Sequence, residues 1–239
     1  MKPWESRRTL LAILTTLAAM QVAGCADGPI PEIRHLNPWV TKQWVADEEF
    51  GPTFYKRLEE LQKVRASASS ISAAERERLS ADIAEVYKAE PSAAMRAELI
   101  RAMGDLPTAT TQNTLTAAAV DSDPDVRILA CRGLGRFKNS DAVQKLCEVV
   151  GADSNLDVRL AAVKELGNTK EPAATKALAI AIDENDPALQ HAAMVSLRGN
   201  TGRDFGKDLL AWRTFAQGGE PKPVEPPSIA EQVKRLIYR

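Results

Sequence analysis

The chain has 239 residues, of which 44% are apolar and only 5% aromatic, and its formal net charge at neutral pH is −1. This charge makes nucleic acid a poor match as the main partner, because proteins that bind it carry a clear positive excess. The three cysteines exclude a disulfide framework, and no CxxC pair is present to bind zinc. Abundant alanine with few aromatic residues favours a core of small and aliphatic side chains on helices.

Residues 1–24 are predicted to be a secretory signal peptide. Lys2, Arg7 and Arg8 precede the uncharged run TLLAILTTLAAMQVAG, and a basic start followed by an apolar stretch is typical of such signals. The run is shorter than the roughly 20 residues that a membrane-spanning helix requires. The sequence therefore predicts export from the cytoplasm.

The run ends in Val22-Ala23-Gly24-Cys25, which resembles the lipobox of bacterial lipoproteins. The resemblance implies that the signal is cut before Cys25, that Cys25 becomes a diacylglyceryl thioether and that its new amine is acylated. Two or three acyl chains anchor a protein stably, at ~0.8 kcal/mol per buried methylene group. We expect a lipid-anchored, extracytoplasmic protein of the bacterial envelope. The alternative is an ordinary signal peptide in which Cys25 is incidental.

Residues 25–51 are predicted to form an extended tether after the lipidated cysteine, because ADGPIPEIRHLNP is rich in proline and lacks helical periodicity. A capping helix is predicted over residues 52–71, where Leu58, Leu61 and Val64 recur at helical spacing. Aromatic residues crowd this junction, as expected either of a ligand cage or of packing that covers a helix end. They are Trp39, Trp44, Phe50, Phe54 and Tyr55.

From residue 72 the chain repeats itself. DPDVRILACRGLG at 123–135 returns as NLDVRLAAVKELG at 155–167. Alignment on the arginine gives four positions at intervals of 31 or 32 residues, namely Arg96, Arg127, Arg159 and Gln190. Such a period indicates stacked helical units.

Each repeat predicts a helix that starts four residues before the aligned position, at an N-cap former: Ser92, Asp123, Asn155 or Asp186. Apolar columns run along it, one of them formed by Met103, Leu134, Leu166 and Leu197. A glycine then predicts the helix end at Gly104, Gly135 and Gly167. The preceding helices carry the apolar pairs Ile83 with Val86, Leu115 with Val120, Leu146 with Val150, and Leu178 with Ile182. Each unit is thus a helical hairpin that buries its apolar face only by stacking.

The phrase DPDVRxxAxxxLG resembles HEAT repeats, in the short variant also found in phycobilisome-lyase-like proteins, over roughly residues 72–219. The resemblance implies an all-α, right-handed superhelical solenoid whose second helices line the concave face. It also implies a ladder in which each arginine bonds an acid six residues earlier. The rungs would be Glu90 with Arg96, Asp121 with Arg127, and Asp153 with Arg159. Gln190 departs from that pattern, so the fourth unit is expected to end the ladder.

The carboxyl end of the repeat region predicts a covering helix, because Phe205, Leu209, Trp212 and Phe215 recur at helical spacing. Repeat arrays need such ends to shield their apolar faces from water. Residues 220–239 are predicted to be a proline-rich tail with a short helix at the end of the chain.

No catalytic, metal or cofactor site is predicted. His35 and His191 have no serine or cysteine motif nearby, so no triad or metal cluster can be assembled. Residues 121–125 imitate a calcium loop, but Val126 and Arg132 occupy the positions of its glycine and glutamate. Cys131 and Cys147 fall in small-residue columns, where inert thiols are common; their pairing outside the cytoplasm stays open.

A candidate partner-binding row lies five residues after the aligned arginines, at Arg101, Arg132 and Lys164. A solvated helix face explains such a column as well as a binding stripe does. We expect a membrane-anchored scaffold, not an enzyme, that binds another envelope protein through the concave face. The alternatives are a lyase-like or cofactor-handling enzyme, suggested by fold analogy alone, and a purely structural envelope lipoprotein.

Overall fold

The computed structural model of the protein describes residues 51–221 and Ile237. The chain divides into two compact units, Met1–Glu59 and Glu60–Arg239. The predicted signal peptide, lipobox, Cys25 and nearly all of the tether lie outside the described residues, as do Trp39, Trp44 and Phe50. The predicted C-terminal helix also lies outside them, apart from Ile237.

Residues 51–221 are all-helical, as predicted. The helices are α1 Phe54–Ser67, α2 Ala73–Ala89, α3 Ala93–Met103, α4 Ala109–Ala118, α5 Pro124–Leu134, α6 Ser140–Ala152, α7 Leu156–Leu166, α8 Pro172–Asp183, α9 Pro187–Thr201 and α10 Leu209–Ala216. Helices α2 to α9 form four hairpins, in which the even-numbered helix comes first. First helices contact first helices of neighbouring hairpins, and second helices contact second helices. The result is the predicted α-solenoid.

The second helices begin at the four predicted N-caps. Asp123 Oδ1 accepts the backbone N–H groups of Asp125 and Val126 at 2.9 and 3.3 Å, and Asn155 caps α7 in the same way. The Ser92 and Asp186 side chains each accept one such bond. These bonds satisfy backbone donors that have no partner within the helix.

The predicted columns of the second helices form the core. Every residue of the last column, Met103, Leu134, Leu166 and Leu197, is fully buried. On the first helices Ile83 and Leu115 are buried, but their predicted apolar neighbours Val86 and Val120 are 44% and 69% exposed. Val120 lies beyond the end of α4 at Ala118. In the third and fourth hairpins both members of the predicted pairs, Leu146 with Val150 and Leu178 with Ile182, are buried.

The glycines after α3, α5 and α7 lie at the predicted helix ends, where they are the C-cap residues. Gly104, Gly135 and Gly167 have φ values of −55°, −57° and −63°, in the right-handed helical region, so they do not end their helices by a left-handed turn. A Cβ at Gly135 would lie 2.8 Å from Cβ of Glu165, and one at Gly167 would lie 2.8 Å from Cα of Ser196. The missing side chain at these two positions lets the next repeat approach closely.

Helix α10 covers the last hairpin and contacts both α8 and α9. Trp212 is fully buried, and its ring packs edge-on against Phe205 at a centroid distance of 4.9 Å. Its indole N–H donates to the Gly206 carbonyl at 3.1 Å, which satisfies the polar group of a buried aromatic side chain. Near the start of the array, Leu61 and Val64 of α1 pack against the core.

Candidate functional site

The structure corrects the predicted ladder, because its ion pairs join successive repeats. Arg96 donates to both carboxylate oxygens of Asp121, at 2.9 and 2.8 Å, and Arg127 does the same to Asp153, at 2.7 and 3.0 Å. Arg159 reaches Glu184 at 2.6 Å. Each acid therefore pairs with the arginine of the preceding unit, and the prediction of a pair within one unit is wrong.

The cause is the loop that precedes each second helix. Asp121 Oδ1 accepts the backbone N–H of Asp123 at 2.9 Å, which fixes the carboxylate on the loop of its own unit. The arginine six residues further on bonds the backbone instead: Arg127 Nη1 donates to the Asp121 carbonyl oxygen at 2.8 Å. Likewise, Glu90 contributes its carbonyl oxygen to Arg96, at 3.4 Å, while its carboxylate accepts the Ser92 N–H.

Two of the ladder carboxylates, Asp121 and Asp153, are held ionised. Burial alone would raise the pKa of Asp121, but hydrogen bonds from Arg96, the Asp123 N–H and the Tyr87 hydroxyl outweigh it and lower the pKa to about 2. The pKa of Asp153 is also lowered, since its bond with Arg127 outweighs the effect of burial. A carboxylate with so low a pKa is a poor proton acceptor at neutral pH. The ladder therefore joins repeats and is unsuited to acid–base chemistry.

The ladder changes at the fourth unit, where the shorter Gln190 donates to the Glu184 carbonyl oxygen. Arg213 of α10 donates to the carbonyl of Ile182 at 3.2 Å, which matches the bond of Arg159 to the carbonyl of Val150 one repeat earlier. The covering helix thus supplies a bond that the fourth unit lacks.

We call the three residues Arg101, Arg132 and Lys164 the basic stripe. They lie in the last turns of α3, α5 and α7, and all three are exposed. Because these helices contact one another in order, the stripe runs across three stacked repeats. In the fourth repeat its position is taken by Val195, which is 51% exposed.

The stripe is only partly neutralised by its surroundings. Arg101 pairs with Glu98 on its own helix at 3.2 Å, whereas Arg132 and Lys164 form no ion pair with any residue from 51 to 221. Glu165 lies close to both, and burial raises its pKa although Lys164 and Arg132 act in the opposite direction. Within residues 51–221, the stripe thus keeps two exposed cations that form no ion pair.

A cavity of about 160 Å³ opens between the ends of α3 and α5. Two stripe residues line it, Arg101 and Arg132, together with Arg65, Arg136 and Asp105. Asp105 accepts from Arg65 Nε at 2.8 Å and from Arg136 Nη1 at 2.6 Å. These two bonds outweigh the effect of burial and lower the pKa of Asp105. The lining thus holds four arginines and one carboxylate.

Sequence reasoning missed Arg65 and Arg136. Arg65 lies in α1, 40 residues before its partner Asp105, and outside the aligned repeats. Arg136 directly follows the helix-ending Gly135, where the neighbouring repeats have Asp105 and Asn168. A comparison of the charges that follow the three glycines would have shown Arg136 opposite Asp105.

The remaining candidates for a catalytic or metal-binding site are the cysteines and histidines. Cys131 is fully buried, and burial raises the pKa of its thiol to about 12; Cys131 and Cys147 are both free thiols. His191 is exposed on α9, while His35 lies outside the described residues. Within residues 51–221, no three His, Cys, Asp or Glu side chains are grouped as metal ligands would be.

The family model described as HEAT repeats matches residues 80–155 and, overlapping with them, residues 114–198. No curated protein matches the chain. Among the described helices, none combines the length and the hydropathy that a membrane span requires.

Proposed function

Because residues 80–198 are HEAT repeats, we propose that this protein is a scaffold that holds another envelope protein against its row of second helices. The observation that carries the proposal is the basic stripe, which presents an exposed cation at one equivalent place in three successive repeats. Stacked repeats offer extended surfaces of this kind to partners. Paired charges across such a surface mainly speed association and select the partner.

Binding without catalysis fits the chemistry of the described groups. The ladder carboxylates are committed to arginines, and Cys131 is buried with a raised thiol pKa. A thiolate is the reactive form of cysteine, so this residue is poorly suited to nucleophilic attack. We therefore propose neither an enzymatic reaction nor a cofactor for the repeats, and the near-neutral chain argues against nucleic acid as a partner.

The proposed cellular location of the protein rests on its amino-terminal sequence. Val22-Ala23-Gly24-Cys25 resembles a lipobox and follows a basic and then an apolar stretch. We propose that acyl chains on Cys25 anchor the mature chain to a bacterial envelope membrane, outside the cytoplasm. Anchoring confines the scaffold to the membrane surface, where it would meet an envelope partner at a raised effective concentration.

The anchor is tested by Cys25→Ser, with Cys147→Ser as the control because that cysteine lies in the repeats. Detergent phase partitioning and metabolic labelling with a radioactive fatty acid report membrane attachment and acylation. We expect Cys25→Ser to abolish labelling and to leave an aqueous protein or an uncleaved precursor, while the control stays labelled. A wild-type chain that remains aqueous and unlabelled contradicts the proposed anchor.

The scaffold is tested by crosslinking and capture from membranes with the full chain. Arg132→Glu combined with Lys164→Glu reverses the two unpaired charges of the stripe. The matched control, Arg78→Glu with Lys176→Glu, makes the same charge change at exposed positions on the first helices. We expect wild type and control to capture one common protein, and the stripe variant to capture less of it with an unchanged melting temperature. Equal capture by all three at low salt contradicts the proposed surface.

A further inference from the structure

The spacing of the basic stripe places a constraint on its partner. Packed helices lie about 8–10 Å apart, and the stripe residues occupy equivalent turns of consecutive, contacting helices. Arg101 and Arg132 line the same cavity, and both Lys164 and Arg132 lie close enough to Glu165 to influence its pKa. The three cations therefore recur at intervals of roughly 10 Å along the row.

A polyproline II segment matches this interval. It advances about 3.1 Å per residue with three residues per turn, so every third side chain points to the same side after about 9 Å. A β-strand turns successive side chains to opposite faces, and residues three apart do not share a side. An α-helix matches the interval only at every seventh residue.

The size of the cavity favours a polyproline II segment over an α-helix. Its volume of about 160 Å³ between Arg101 and Arg132 suits one inserted side chain, whereas an α-helix is about 10–12 Å across. Within the cavity, Arg65 and Arg136 already form ion pairs with Asp105. A carboxylate that enters would therefore meet Arg132, which has no ion pair within residues 51–221, and Arg101, which also pairs with Glu98.

We infer that the basic stripe binds an acidic segment of the partner in the polyproline II conformation, with a carboxylate at every third residue. The inference rests on the proposed scaffold function and specifies the chemistry of its partner. Arg101, Arg132 and Lys164 would each meet one carboxylate. Glu165, which lies close to Arg132 and Lys164, opposes binding because its own charge repels the segment.

The test uses the full chain in detergent micelles and fluorescent synthetic peptides. The probe is three repeats of Glu-Pro-Pro. One comparison peptide has the same composition with its three glutamates adjacent, and another is an alanine-based helix with glutamate at every seventh position. Fluorescence anisotropy at low salt should show the probe binding about tenfold more tightly than either, since only the probe can align a carboxylate with each of the three cations.

Variants connect the peptide binding to the stripe. Arg132→Glu with Lys164→Glu should remove the preference for the probe, whereas Arg78→Glu with Lys176→Glu should preserve it. Glu165→Gln keeps the shape of the side chain and removes its charge, so it should tighten probe binding about two- to fivefold. Added salt should weaken binding in every case where the stripe is intact.

The outcomes separate this inference from the proposed function. Equal binding of the three peptides, or tighter binding of the helix, overturns the polyproline II segment. If membrane capture still depends on Arg132 and Lys164 in that case, the scaffold stands with a partner of another shape. Probe binding that survives charge reversal of the stripe overturns the assignment of the surface.

Discussion

Arg127 of one repeat is bonded through two N–H groups to the carboxylate of Asp153 in the next, at 2.7 and 3.0 Å. The same guanidinium donates to the Asp121 carbonyl at the start of its own second helix. Both side chains are nearly buried, at 14% and 9% exposure. In an array where each repeat contacts only its neighbours, such bonds contribute directly to the coupling of adjacent units.

Replacement of Arg127 should be costly because it leaves the Asp153 carboxylate nearly buried without its cation. We expect Arg127→Met to lower the free energy of unfolding by about 3–5 kcal/mol, measured by urea denaturation of the full chain. Arg127→Met with Asp153→Asn should recover part of that loss, since the double variant leaves no unpaired charge.

The matched control for this pair is Lys88→Met, which breaks the exposed pair of Lys88 with Glu85. Exposed pairs of this spacing contribute about 0.2–0.5 kcal/mol. Equal losses for Lys88→Met and Arg127→Met would show that the ladder does not stabilise the stack.

The ladder also predicts a loss of stability in acid. The pKa of Asp121 is about 2 in the folded protein and about 3.9 in an unfolded chain. Its contribution is therefore complete above the unfolded value and is lost as the pH falls from about 4 towards 2. Urea denaturation between pH 5 and pH 2 should show a shallower decline for Asp121→Asn than for wild type. Parallel declines would contradict the assigned role of Asp121.

Replacement by alanine should change the stability of the protein in opposite directions at two glycines. Gly167→Ala places a Cβ 2.8 Å from Cα of Ser196, so the next repeat must shift; we expect a loss of about 1–3 kcal/mol. Gly151 lies within helix α6 and has open space around it, and alanine there should stabilise the protein by about 0.5–1 kcal/mol. Thermal melts of both variants test the pair. A gain at Gly167 would mean that the repeats are packed less closely than described.

The apolar column is tested at Leu166, which is fully buried. Leu166→Ala should cost about 2–5 kcal/mol through lost burial and the cavity left behind. Leu210 is 74% exposed on α10, and its replacement by alanine should cost less than about 0.5 kcal/mol. Urea denaturation that shows a similarly small loss at Leu166 would place this column outside the core.

The caps and the main core columns could be predicted from the sequence because both depend on short-range order. Asp123 precedes its helix by one residue, and Val126, Ala130 and Leu134 share a face by helical spacing alone. The same reasoning fails for Val86, which is exposed on α2, and for Val120, which lies beyond the end of α4.

The ladder and the cavity depend on contacts that spacing does not determine. Asp121 lies six residues before Arg127 and 25 after Arg96, and only the stacking of the repeats decides which arginine meets its carboxylate. Arg65 pairs with Asp105 although 40 residues separate them in sequence. The sequence predicts the helix end at Gly135 but not the close approach of Glu165 from the next repeat, because that approach depends on the stacking of the repeats.

Gln190 stands at the position of the ladder arginine in the fourth repeat, and this determines where further repeats could be added to the array. A duplicated internal unit would bring its own arginine and acid into register, so each new junction would repeat a junction that already exists. A unit appended after α9 would meet the uncharged Gln190 and would have to displace the buried Trp212. Lengthening by internal duplication is therefore compatible with the structure, whereas extension at the carboxyl end requires a new terminus.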